Sequence, residues 1–202
     1  MLLPIRAALL SRNLAMSLVE VEAVYRIVCQ KLNCLVSVQS VSVAERWNGL
    51  CGYVDNSVDS PTVVYNKDLN FCWRRFTIVK ELMHLWSGTA DNLRRPDLGA
   101  SLALNIIEEA RDSRRRSLMC DVNCSAETAA LVMAIEVLLP WRLRDQFSTM
   151  VDMGVSPFAI AKSFMVPLCF VKMMMPNGGG AEATWYGEVS RQVNMTLDKE
   201  GL

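Results

Sequence analysis

Lys80-Glu81-Leu82-Met83-His84 holds the residues of this chain best placed to do chemistry, and His84 is its single histidine. The pattern K-E-x-x-H is one residue away from H-E-x-x-H. In that motif two histidines four apart bind one zinc from a single helix face, and the Glu acts as general base on the metal-bound water. Lys80 stands where the first histidine would be, and a protonated lysine has no lone pair to give a metal. Glu81 is therefore the candidate catalytic base and His84 the candidate metal ligand of a site whose donor set is incomplete. Lys80 offers a different chemistry. Its positive charge could stand in for the metal's and neutralise a carboxylate, and a buried lysine needs such a partner. Immediate neighbours on a helix do not face each other, so the expected partner is Glu108 or Glu109 rather than Glu81.

These residues need an interior helix to hold them, and residues 76–86 supply its pattern. Phe76, Val79, Met83 and Trp86 recur at spacings of three and four, with Ile78, Leu82 and Leu85 beside them. Thr77, Lys80, Glu81 and His84 remain as one polar stripe, which needs a cleft or buried partners. Ahead of this helix, residues 17–33 read as an amphipathic helix, with Ser17 and Glu20 spaced as a capping box. Short strands are expected over 35–43, 49–54 and 62–65. The first loses its phase at Gln39-Ser40, which reads as a bulge or break.

Beyond the central helix, residues 97–119 read as a long helix. It carries Glu109, the candidate third metal ligand, and Glu108, an additional carboxylate. Arg111, Arg114, Arg115 and Arg116 follow, and their alternation with acids marks a solvated or partner-facing surface. Ser125 opens the next helix, which is strongly apolar over 129–139 and broken by Pro140. Helices over 141–153, 157–165 and 167–175 follow, with Gly154 closing the first and Ser156 capping the second. Met173-Met174-Met175 reads as adaptable apolar surface. Gly178-Gly179-Gly180 makes a linker to a tail helix over 181–202, whose face of Trp185, Val189, Val193 and Leu197 needs cover. The fold class expected is α+β: a helix-rich domain over 1–176 with a small sheet before the site helix, then a linker and tail over 177–202.

Bulk composition narrows the function. Lys plus Arg equal Asp plus Glu at 21 each, so no global field draws nucleic acid or an anionic membrane. A DNA-reading use of residues 154–175 has only Lys162 and Lys172 as bases and is not favoured. The hydrophobic share of 51% argues against disorder. Seven cysteines are scattered without a secreted framework, as expected of buried thiols in a reducing cytoplasm. No leader or membrane span is evident in the apolar stretches, which Pro and charged residues interrupt.

Three segments in order resemble the ImmA/IrrE family of metallopeptidases. They are Arg75-Phe76-Thr77-Ile78-Val79-Lys80-Glu81-Leu82-Met83-His84, then residues 130–140 ending Leu138-Leu139-Pro140, then Gly154-Val155-Ser156 with Ala161, Phe164 and Val166. The resemblance covers roughly residues 17–175. It implies a zincin-like fold and a protease or regulator encoded beside helix-turn-helix repressors in phage, mobile-element or stress-response settings. The family's first zinc histidine is Lys80 here, and its third ligand aligns with Ala129, so the resemblance implies a degenerate site. The expected function is a non-catalytic regulatory or protein-binding module without cofactor, partnered by a repressor-type protein or its own subunit as a homo-oligomer. The alternatives are a zinc-dependent endopeptidase using Glu81, His84 and a carboxylate from Glu108 or Glu109, and a DNA-binding transcriptional regulator.

Overall fold

The computed structural model describes residues 19–42, 51–56, 60–87, 126–140 and 143–175, with side chains from residue 130 onward in the fourth of these segments. Among the described residues the protein is α+β, with six α-helices and one three-stranded sheet. The chain falls into two compact units, one of residues 20–134 and one of residues 1–19 with 135–202. The expected helix over 97–119 and the linker and tail over 177–202 lie outside the described residues.

The first unit opens with α1, Val21–Leu32. Ser17 lies outside the described residues, and the helix begins later than expected. Glu20, in extended geometry at φ −74° and ψ 133°, is its N-cap, so Glu20 does not act from the third helical position of a capping box. Ala23, Val24 and Val28 form the buried stripe. Asn33 ends the helix in the left-handed region at φ 53°, a conformation asparagine tolerates. There the Cys34 N–H reaches back to the Cys29 carbonyl and the Asn33 N–H to that of Gln30, each at 3.3 Å.

Three strands follow: β1 (Ser37–Val41), β2 (Gly52–Asp55) and β3 (Thr62–Asn66). Their order is β1-β3-β2, with β1 parallel and β2 antiparallel to β3. The bulge expected at Gln39-Ser40 is absent from the β1–β3 pairing. Gln39 sits opposite Val64 and Ser40 opposite Tyr65 in unbroken register. The change of apolar phase has a different cause: every residue of β1 is exposed, so burial imposes no alternation on it. Central β3 is buried on both faces through Val63 and Val64.

The long helix α2, Phe71–Ser87, packs against α1 and against β3 and β2. It starts five residues before the apolar periodicity does, because Asn70 supplies the cap: its Oδ1 accepts the Trp73 N–H at 3.1 Å. Gly52 lets the helix lie directly on the sheet. A Cβ at that position would come within 2.5 Å of Thr77 Cγ2 and 2.7 Å of the Val64 carbonyl oxygen. At the other end of α2, Lys31 of α1 donates to the Trp86 carbonyl while its ammonium sits 4.1 Å from the Trp86 ring centroid.

Helix α3, Ala126–Leu138, runs into the second unit, and every residue from Ala130 to Leu139 is buried. In the second unit, α4 (Arg144–Asp152) ends at Gly154, whose φ of 88° explains the glycine. Ser156 caps α5 (Pro157–Phe164) by accepting the Ala159 N–H at 3.1 Å, and Pro157 fills the first helical position. Met165 turns left-handed at φ 51°, so α5 stops at Phe164. Phe147 of α4 meets Phe164 edge-on, with ring centroids 5.1 Å apart. Helix α6, Leu168–Met174, corrects the expectation for the methionine run: Met173, Met174 and Met175 are buried, where unbranched side chains fill interior gaps.

Candidate functional site

The polar stripe of α2 is interior, as its apolar flanks require. Thr77, Lys80, Glu81 and His84 are all buried, with Glu81 at 1% and His84 at 0% exposure. Spacings of three and four residues hold them on successive turns of one face. Lys80 Nζ lies 2.9 Å from Glu81 Oε1. This corrects the expectation that adjacent residues would not pair. The four-carbon lysine side chain bends back to its neighbour because neither charge can reach water, and a buried charge needs an opposite one close by.

Cys51, at the foot of β2, belongs to the same cluster. Burial raises its thiol pKa above the ordinary value. Lys80 and a hydrogen bond with Thr77 pull the other way, and Glu81 adds to the rise. Gly52, next in the chain, brings α2 close enough for this strand end to meet Thr77. The site thus comprises a thiol, a hydroxyl, an ammonium and a carboxylate, with the His84 imidazole one helical turn on.

Three further polar residues, Arg75 and Glu136 buried and Cys51 half-buried, lie outside the K-E-x-x-H pattern. Cys51 carries no spacing signal, since only the β2–α2 packing brings it to Lys80. Arg75 is 5% exposed near the start of α2, and burial lowers its pKa to about 10, which leaves it charged at neutral pH. Glu136, 1% exposed, is the lone acid in the run Ala129 to Leu139, and that isolation is the signal that could have singled it out.

Among the described residues the donor set does not fit a three-ligand zinc: Lys80, four residues before His84, is an ammonium ion-paired with Glu81 and has no lone pair to give a metal. Glu108 and Glu109 lie outside the described residues. Among the described residues no three His, Cys, Asp or Glu side chains gather into a possible metal set.

The second unit holds the segment weighed for DNA. The axes of α5 and α6 turn through 118°, a helix-turn-helix-like angle. Helix α6, however, buries Phe170, Val171, Met173 and Met174 and fully exposes only Lys172. The five described cysteines are half-buried rather than buried. No described helix is by itself both long and apolar enough to cross a membrane. The chain matches no protein-family model, and no curated protein is similar to it.

Proposed function

We propose that the chain is a non-catalytic, zincin-like module of the ImmA/IrrE type that acts through protein contacts, with a repressor-type protein or another copy of itself as partner. The observation that carries this reading is the buried Lys80–Glu81 pair at 2.9 Å. A general base must be free to take a proton from water, and here that carboxylate is held against a fixed cation. The ammonium supplies, at the position of the family's first ligand, the positive charge that zinc would bring. The polar stripe is then a structural cluster that keeps the old metallopeptidase helix in place.

Elemental analysis of the purified full chain tests this, together with peptide hydrolysis and cellular complementation by Glu81→Gln. The expected results are no stoichiometric zinc, no turnover and retained cellular function. About one zinc per chain, lost on His84→Ala, would overturn the reading. So would loss of function in Glu81→Gln with melting and partner binding unchanged.

A further inference from the structure

We infer that β1 is a self-association edge: two copies pair antiparallel through Ser37–Val41 about a two-fold axis at Gln39, joining their sheets. The argument starts from the backbone. The Ser37 N–H donates to the Pro61 carbonyl at 2.9 Å, and the Val41 carbonyl accepts the Lys67 N–H at 2.9 Å. By the two-residue period of a strand, Ser37, Gln39 and Val41 direct their backbone groups to β3, and Val38 and Ser40 direct theirs away from it. Among the described residues no strand lies on that side. All five residues of β1 are exposed, including Val38 at 41%.

Edge strands are ordinarily protected by charge, proline or a bulge. From Leu35 to Ser42 the chain has no charged residue, no proline and no glycine, and the β1–β3 register has no bulge. Uncharged chemistry selects the occupant. A charged partner strand would find no counter-charge here, whereas an identical strand brings no like-charge repulsion. The register follows from what is already taken. The Val36 carbonyl accepts the Tyr25 hydroxyl at 2.8 Å, so Val38 and Ser40 are the residues left to pair. An antiparallel two-fold at Gln39 sets Val38 opposite Ser40 of the second copy and Ser40 opposite its Val38, closing four backbone hydrogen bonds. The same register sets Leu35, 76% exposed, diagonally beside Val41 of the second copy, 36% exposed. Such an isologous contact closes on itself. It stands apart from the reading of the Lys80–Glu81 cluster, and either can fail without the other.

Sedimentation of the full chain over a concentration series tests the inference. Wild type should show a reversible monomer–dimer equilibrium. Ser40→Pro removes an outward N–H without touching the β1–β3 ladder. It should weaken the dimer by more than about tenfold with melting and circular dichroism unchanged. Gln39→Lys and Gln39→Glu should each weaken it about fivefold or more, and their equimolar mixture should restore it as a heterodimer. The mixture keeps the test decisive if the proline variant does not fold. A wild-type chain monomeric up to about 1 mM overturns the inference. A dimer indifferent to all three substitutions, or one not restored by mixing, does the same.

Discussion

At the scale of single residues, the molecule turns on two charges placed side by side where water does not reach. Lys80 and Glu81 neutralise each other at 2.9 Å, and each needs the other more than the fold needs the pair. Lys80→Ala should therefore leave Glu81 buried without its counter-ion and destabilise the protein by about 3–5 kcal/mol. Lys80→Met combined with Glu81→Leu removes both charges together and should come within about 1 kcal/mol of wild type or exceed it. Urea denaturation of the three chains decides this, and equal losses for the single and double variants would refute the pairing. Cys51 gives a second handle. Its thiol pKa is raised in the folded state, chiefly by burial, so the folded state favours the neutral thiol. That contribution is complete below the ordinary value of 9.0 and is lost as pH rises through the higher folded value. The stability gap between wild type and Cys51→Ala should hold constant to about pH 8 and move against wild type above pH 9. Thermal melts across that range measure it.

At the scale of elements, α2 can be the interior helix only because the sheet beneath it has a gap in its side chains. Gly52 is that gap, since a methyl group there would meet both Thr77 and the Val64 carbonyl. The contact with Val64 is to backbone and cannot be relieved by turning a side chain. Gly52→Ala should shift α2 off β2 and β3 and cost about 1–3 kcal/mol through overpacking. Because Cys51 precedes Gly52 and reaches the cluster only through this close approach, the variant should also make the Cys51 thiol react faster with a disulfide reagent. A variant as stable as wild type with an unchanged thiol rate would show that the helix does not depend on that glycine.

At the scale of the whole molecule, charge balance dominates behaviour in solution. With 21 acids, 21 bases and one histidine, the chain crosses neutrality near pH 6.6. The chain has a single imidazole, so few groups move the net charge between the carboxylate and thiol ranges. Solubility should be lowest near pH 6.6 and rise toward both acid and alkali. Light scattering over a pH series at low ionic strength checks this, and a minimum displaced by two pH units or more would contradict it.

What the sequence by itself determined is what depends on neighbours along the chain. The spacing of Phe76, Val79, Met83 and Trp86 marks an interior helix. Ser156-Pro157 marks a helix start, Gly154 a helix end and Pro140 a break, because caps and backbone angles act within one turn. The interior stripe of Thr77, Lys80, Glu81 and His84 was legible for the same reason. Tertiary structure alone decided the rest. The order β1-β3-β2 sets a parallel partner beside β1, and no local pattern encodes it. Exposure of all of β1 removed the alternation from which a bulge was read. Burial of both charges bent Lys80 onto Glu81 against the preference of an exposed helix surface. Cys51 joined the site through the closeness of two backbones at Gly52, a contact across the fold that leaves no spacing in the chain.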